Sequence, residues 1–268
     1  GLSAALLPLI SEQKPDVLIT VDNGISSIEG VSAAKKAGMQ VLVTDHHLPG
    51  EVLPEADVIV NPNLNDDPFP SKAMAGVGVI FYVMLALRRY CVKQSWFEAQ
   101  SLPVPNMAQF LDLVALGTVA DLVPLDKNNR VLVRQGLQRM RAGKARPGIN
   151  ALIQVAGRER AFLSASDLGF ALGPRLNAAG RLEDMSLGVA CLLAKDESLA
   201  LPLATELDGI NRERRTIEAG MRQEAHDVVD KLVLEGDLPW GLCLYESHWH
   251  QGIVGLVASK IKEQFYRP

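Results

Sequence analysis

The chain has 268 residues, of which 48% are apolar, and its formal net charge is −4 at pH 7. This length allows one large core or two domains. The sequence contains no run of about 18 apolar residues, so no membrane-spanning helix is predicted. The first residues include neither a Met nor a basic segment, so we expect no signal peptide and a cytoplasmic location.

Three short apolar segments near the start of the chain predict β-strands, at residues 16–21, 40–44 and 57–60. A helix-sized stretch at residues 4–11 precedes the first strand, and another at residues 26–38 connects the first strand to the second. Strands that alternate with helices in this way form a parallel sheet with right-handed crossovers. We therefore predict an α/β fold.

The rest of the chain has a mainly helical pattern. Shorter helices are predicted at residues 73–90, 106–123, 129–141, 149–156, 166–171 and 184–194. From residue 202 to 232, apolar residues at helical spacing predict a single amphipathic helix. At 1.5 Å per residue such a helix spans roughly 45 Å, so we expect it to connect two domains.

A turn, a strand at residues 240–245 and a helix at residues 253–265 are expected to begin a second domain. The predicted organisation is a parallel-sheet domain, a long connecting helix and the start of a second α/β domain, over residues 1–195, 196–234 and 235–268 respectively.

Metal-capable side chains come where the first two predicted strands end. Asp22 follows the first strand, and Asp45, His46 and His47 follow the second. Ligands of open parallel sheets lie beyond the carboxyl ends of the strands. A further acid, Asp121, lies in an apolar segment, where a carboxylate must be paired or bound to a metal. Without thiolates, this set favours Mn²⁺ or Mg²⁺ over a structural Zn²⁺. Singly, either Asp22 or Asp121 could instead be an ordinary turn or cap residue.

Two other segments have the composition of phosphate-binding sites. Residues 173–181 place Arg175, Asn177 and Arg181 among glycines and alanines, which offers bidentate donors and close backbone approach. His250 lies just before a predicted helix, where the N-terminus can bind an anion. The alternatives are a Gly-Pro loop with surface arginines and an aromatic loop that caps a helix.

The charge is unevenly distributed. Between Lys127 and Arg181 there are eleven basic and two acidic residues, a local balance of +9, so the rest of the chain carries −13. A basic segment of this kind indicates a nucleic-acid partner, and the alternative is a solvated helix face.

The order of these motifs resembles that of the DHH phosphoesterases over essentially the whole chain. The motifs are Asp22 in Val-Asp-Asn-Gly-Ile-Ser-Ser, Asp45-His46-His47, and residues 117–121, 173–181 and 249–252. Within that family they look most like the bacterial exonucleases that degrade single-stranded DNA from the 5′ end. The resemblance implies roles in DNA recombination and repair, single-stranded DNA as substrate, and a single-strand binding protein and a helicase as partners. It also implies that the second domain is of the DHHA1 type.

The resemblance also implies a role for each site residue in a two-metal phosphodiesterase. Asp22 would bridge two Mn²⁺ or Mg²⁺ ions, and His46 and Asp121 would complete one of the two sites. His47 would contact the scissile phosphate, and Asp45 would orient a histidine. DNA phosphates would be held by Arg175, Asn177, Arg181 and His250.

The sequence departs from the family pattern at both ends. The family's first, aspartate-rich motif is missing upstream of Asp22, and the last part of the second domain is missing beyond Pro268. We therefore expect a fragment that binds at most one metal ion and does not cut DNA. Two other functions remain open: another enzyme of the family, such as a manganese pyrophosphatase or an oligoribonuclease, and a non-catalytic binding module.

Overall fold

The computed structural model describes residues 1–235 and 238–268. The chain divides into two compact units. Unit 1 comprises Gly1–Ala145 and Arg160–Gly169, and unit 2 comprises Arg146–Glu159 and Phe170–Pro268. The domain boundaries at residues 195 and 234 stay predictions from the sequence.

Unit 1 contains a three-stranded parallel sheet of order β1-β2-β3. The strands are β1 (Val17–Val21), β2 (Gln40–Thr44) and β3 (Val58–Val60). Val21 lies opposite Thr44, and Thr44 lies opposite Val60, so the three carboxyl ends are level. The predicted strands and their parallel arrangement are confirmed.

Helices make up most of the remaining structure. In chain order they are α1 (Leu7–Glu12), α2 (Ile28–Lys36), α3 (Gly76–Lys93), α4 (Trp96–Ala99), α5 (Leu111–Ala120), α6 (Lys127–Arg141), α7 (Pro147–Val155), α8 (Ala165–Asp167), α9 (Gly173–Leu182), α10 (Ser186–Leu193), α11 (Glu197–Glu235) and α12 (Val254–Phe265). None of those described is both long enough and apolar enough to cross a membrane.

The core of unit 1 fixes the sheet against its helices. Val41 and Val43, alternate residues of β2, pack in one cluster with Val31 and Ala34 of α2. A second cluster joins α3, α5 and α6 through buried residues that include Val79, Val114 and Leu132. Helix α3 also contacts β1 and β2, and its first residue, Gly76, lies against the Asp22 side chain at the end of β1.

In unit 2 the long helix α11 packs on α7, α9, α10 and α12. It begins five residues before the predicted start at Pro202. The reason is a cap: Asp196 Oδ1 accepts a hydrogen bond from the Leu199 N–H at 3.0 Å. The helix therefore passes through Pro202, which is tolerated although it lacks a donor there.

One prediction and one alternative interpretation for unit 2 are wrong. Residues 240–245 do not form a strand, because they pair with no other strand among the described residues; the Leu242 N–H donates to the Pro268 carbonyl at 2.8 Å. The arginine-rich segment 173–181, for which a Gly-Pro loop was the alternative to a phosphate-binding site, lies in helix α9. Pro174 is compatible with this helix because it lies in the first turn, where no intrahelical donor is needed.

Candidate metal centre

The ends of β1 and β2 place Asp22 and Asp45 side by side at one edge of the sheet. The Asp22 N–H donates to the Thr44 carbonyl at 3.0 Å, and the Asp45 N–H donates to the Val60 carbonyl at 3.1 Å. These bonds extend the parallel ladder by one residue beyond each strand. They fix the main chain from which the acidic side chains project.

The imidazole of His46 is the centre of the site. Its Nε2 lies 3.0 Å from Asp22 Oδ1 and 3.4 Å from Asp121 Oδ2. The His46 side chain is only 11% exposed. Nε2 is buried and has no partner with hydrogen-bond geometry among the described residues. The structure thus brings together all three side chains that were predicted as metal ligands.

The distances of the two carboxylates from His46 Nε2 suit a divalent cation. Ligands at adjacent corners of an octahedral ion with bonds of about 2.1 Å lie about 3 Å apart, which agrees with both separations from His46 Nε2. Two carboxylates and one imidazole form a donor set without thiolates, which suits Mn²⁺ or Mg²⁺. A buried nitrogen without a hydrogen-bond partner is then accounted for as a ligand.

The electrostatics of the centre also favour a cation. Burial raises the pKa of Asp121; the charge of His46 opposes this rise and the neighbouring Asp22 carboxylate adds to it. Two carboxylates that converge on one imidazole repel each other, and a bound divalent ion would offset this repulsion.

Asp45 organises the backbone of the histidine pair from a position that is 1% exposed. Its Oδ1 accepts hydrogen bonds from the N–H groups of His46 and His47, at 2.8 and 3.2 Å, and lies 2.7 Å from His47 Nδ1. Its Oδ2 accepts from the Ile25 N–H at 2.9 Å. Burial raises the pKa of Asp45, but these hydrogen bonds outweigh it, so the net pKa lies below the usual value.

His47 differs from His46 in exposure and in its partner. Its side chain is 59% exposed. The hydrogen bond to Asp45 raises the pKa of His47 above its usual value, against the effect of burial. Because Nδ1 faces Asp45, Nε2 is left for a ligand. His47 also offers a nitrogen within 4.8 Å of the ligand atoms of Asp22 and His46.

Two asparagines that hold the histidine backbone were missed by the sequence analysis. Asn61 Nδ2 donates to the His47 carbonyl at 2.9 Å, and Asn63 Nδ2 donates to the His46 carbonyl at 2.5 Å. Both follow β3, and the interpretation of this segment as a turn-rich loop overlooked them. The rule that singled out Asp22 and Asp45, polar residues after a parallel strand, would have found them.

The predicted phosphate-binding residues all lie in unit 2. Arg175 of α9 is only 11% exposed, and its guanidinium is bound within the protein. Its Nε and Nη2 donate to Asp208 Oδ1 at 2.9 and 2.8 Å, and its Nη1 donates to the Ala171 carbonyl at 2.6 Å. A phosphate would have to compete with this ion pair, in which two guanidinium nitrogens share one carboxylate oxygen.

The other three predicted phosphate-binding residues have freer surroundings. Asn177 and Arg181 are exposed and lie four residues apart, so they share one face of α9. Arg181 Nη1 donates to the Gly252 carbonyl at 3.1 Å. The Gly252 N–H in turn donates to His250 Nδ1 at 3.1 Å, which leaves His250 Nε2 as the protonated donor in the neutral ring.

The part of the chain that contains the sheet and the histidine pair matches a known protein family. Residues 2–118 match the model of the DHH family, N-terminal domain. It is similar to the single-stranded-DNA-specific exonuclease RecJ of Escherichia coli (strain K12). The two are 57% identical over 269 residues, which cover 100% of this chain and 47% of the relative.

Solved structures also show similarity to RecJ. A crystal structure of exonuclease RecJ bound to manganese is 33% identical, with a TM-score of 0.80, and the match covers 98% of this chain and 62% of that chain. A crystal structure of RecJ in complex with Mn²⁺ from Thermus thermophilus is 32% identical, with a TM-score of 0.79, over 99% and 37% of the two chains. These likenesses confirm the α/β fold class. The chain spans about half the length of the curated relatives it matches.

Proposed function

We propose that this chain is the metal-binding part of an exonuclease that hydrolyses single-stranded DNA from its 5′ end, with Mn²⁺ or Mg²⁺ as cofactor. The observation that carries the proposal is the convergence of the carboxylates of Asp22 and Asp121 on the unpartnered Nε2 of His46. The names of its relatives support DNA as the substrate, and the manganese-bound neighbours support the cofactor. A single-strand binding protein and a helicase as partners, and a cytoplasmic location, stay predictions of the family resemblance.

Different residues of the site would contact the ion and the phosphate. Asp22, His46 and Asp121 would hold the ion, which when bound supplies a Lewis acid that polarises a phosphoryl oxygen. Asp45 fixes the ring of His47 through Nδ1 and keeps its Nε2 available. Because Asp45 raises the pKa of His47, the ring keeps its second proton to a higher pH and donates from Nε2 to a phosphate oxygen.

A basic stripe on α6 favours a long polyanion over a small anion as the substrate. The stripe consists of exposed residues at helical spacing, namely Lys127, Arg130, Arg134 and Arg141. It starts six residues after Asp121, and no acidic residue occurs between Asp126 and Glu159. Successive turns of a helix offer a charge about every 5.4 Å, which suits a chain of phosphates. Pyrophosphate, the substrate of the alternative enzyme, is too small to contact such an extended surface.

Metal binding is tested first, with the isolated chain. We expect Mn²⁺ to bind in calorimetry and by electron paramagnetic resonance, and Asp22→Ala and His46→Ala to abolish binding. Asp57→Ala is the matched control, because Asp57 precedes β3 at the opposite edge of the sheet and pairs with Lys35 at 2.9 Å. Equal Mn²⁺ binding by the wild type and Asp22→Ala would contradict the proposed centre.

The ligand set also limits what the isolated chain can do. Asp22, His46 and Asp121 supply three donors, which is enough for one octahedral ion whose other positions hold water. The chain by itself is therefore expected to bind one ion and to leave single-stranded DNA intact, and robust metal-dependent hydrolysis by it would refute this count. In a full-length parent, Asp22→Ala is expected to abolish turnover, whereas unchanged turnover would favour a non-catalytic module.

Binding of single-stranded DNA without metal tests the substrate class. The logarithm of the binding constant should fall with the logarithm of salt concentration, and replacing Arg130 and Arg134 by Ala should reduce the slope by about 0.7 per residue. Arg89→Ala with Lys93→Ala is the control, since these two exposed cations have the same four-residue spacing on α3. An unchanged slope in the α6 variant, or tighter binding of pyrophosphate than of DNA, would count against a nucleic-acid substrate.

A further inference from the structure

The N-terminus of α3 lies directly against the side chain of Asp22. A Cβ atom built on Gly76 would lie 2.2 Å from Asp22 Oδ1, and 2.6 Å from both its Cβ and its Cγ. Such distances are far shorter than any van der Waals contact between these atoms. Gly76 is therefore the first residue of α3 and also one wall of the space that holds the Asp22 carboxylate.

Asp22 cannot avoid a side chain at position 76 by a small shift of its own backbone. Its N–H donates to the Thr44 carbonyl at 3.0 Å, which ties it to the sheet. Its φ of 64° lies in the left-handed region, where a residue other than glycine persists only if its surroundings hold it. Rotation of the side chain moves Oδ1 away from His46 Nε2, now 3.0 Å distant. Because rotation leaves the Asp22 Cβ in place, 2.6 Å from the added atom, the first turn of α3 must shift as well.

We propose that Gly76 is a positioning residue of the metal centre: the absence of its side chain keeps the Asp22 carboxylate on His46. The inference rests on the proposed metal site and adds to it a residue that does not touch the ion. It also accounts for a glycine inside the first turn of a helix, where alanine would otherwise be more favourable. In Gly76→Ala, the Asp22 carboxylate is therefore expected to point away from His46 Nε2.

Gly78 provides a matched control on the same helix. It is also buried, and a Cβ there would meet only the terminal methyl of Met74, at 2.5 Å. The end of a methionine side chain can move at little cost. Gly76→Ala should therefore weaken Mn²⁺ binding about 10–100-fold, the usual effect of losing a residue that orients a ligand, whereas Gly78→Ala should leave binding unchanged.

A second measurement needs no metal and keeps the test valid even if Mn²⁺ does not bind. In thermal unfolding with EDTA, Gly76→Ala should melt below Gly78→Ala. In an Asp22→Gly background, which removes the atoms at 2.2 and 2.6 Å, that difference should disappear, as expected for directly coupled positions. The ¹⁵N signal of His46 Nε2 should shift in Gly76→Ala and not in Gly78→Ala.

The outcomes separate this inference from the proposed function. If the wild type binds no Mn²⁺ but positions 22 and 76 are coupled in unfolding, Gly76 still positions Asp22 and only the metal function fails. If the wild type binds Mn²⁺ and Gly76→Ala binds it equally well, the positioning role is overturned. It is also overturned if the unfolding cost of Gly76→Ala is the same with Asp22 and with Gly at position 22.

Discussion

The substitution Asp45→Asn is expected to lower the free energy of unfolding by about 3 kcal/mol at neutral pH, from the hydrogen bonds that it disrupts. The two oxygens of Asp45 accept from three backbone N–H groups and face His47 Nδ1. Asparagine has one acceptor oxygen. If that oxygen replaces Oδ1, the amide NH₂ faces the Ile25 N–H, and a buried donor loses its partner. A hydrogen bond to a charged group contributes about 1.5–3 kcal/mol, and an unsatisfied buried donor costs about 1–3 kcal/mol.

The pH dependence of unfolding should change in a defined direction. The pKa of His47 is raised above its usual 6.5 by Asp45, so the stability from this pair is fully present below 6.5 and is lost as pH rises through the raised value. The pKa of Asp45 is lowered below its usual 3.8, so its contribution is lost only as pH falls through that lowered value. Asp45→Asn should remove the decline on the alkaline side.

Urea unfolding, followed by circular dichroism at several pH values, measures both effects. The control is Asp57→Asn, since Asp57 also accepts from a backbone N–H, that of Val41 at 2.7 Å, and pairs with Lys35, but is far more exposed. Its loss should be much smaller. If Asp45→Asn is no less stable than Asp57→Asn, or if it keeps the alkaline decline of the wild type, this account of Asp45 is wrong.

Three further predictions test other features. Leu122→Gly should raise the melting temperature, because Leu122 has a φ of 60° and is 81% exposed, and relief of a left-handed leucine is worth about 1 kcal/mol; a lower value would contradict this. Glu224 Oε2 accepts from Trp249 Nε1 at 2.7 Å, and this bond holds the pKa of Glu224 below its usual value. The Trp249 indole N–H signal should therefore shift as pH falls through that lowered pKa, and Glu224→Ala should abolish the shift; a shift that survives would refute it. Gly136→Ala should destabilise by about 1–3 kcal/mol through overpacking, since its Cβ would lie 2.2 Å from the Leu111 carbonyl, whereas Gly220→Ala, with open space around it, should be stabilising. Equal effects at the two glycines would rule out the close approach of α5 and α6.

Local sequence pattern was sufficient to predict the sheet and most of the residues of the candidate metal centre. The segment 40–44 is a short apolar run rich in β-branched residues, and β2 spans those residues. The carboxyl ends of adjacent parallel strands share one edge, so the sequence alone predicts that Asp22 and His46 lie close together. Asp121 was found because a carboxylate in an apolar segment needs a partner.

The sequence by itself determined the three strands of the sheet, where their polar ends lie and which side chains could bind a cation, because these depend on neighbours within a few positions. Only the tertiary structure decided that Arg175 is bound to Asp208, 33 residues later, that residues 240–245 pair with no other strand among the described residues, and that α3 begins against Asp22. Each of these depends on contacts between segments distant in the chain. Local pattern contains no information about the packing that creates such contacts.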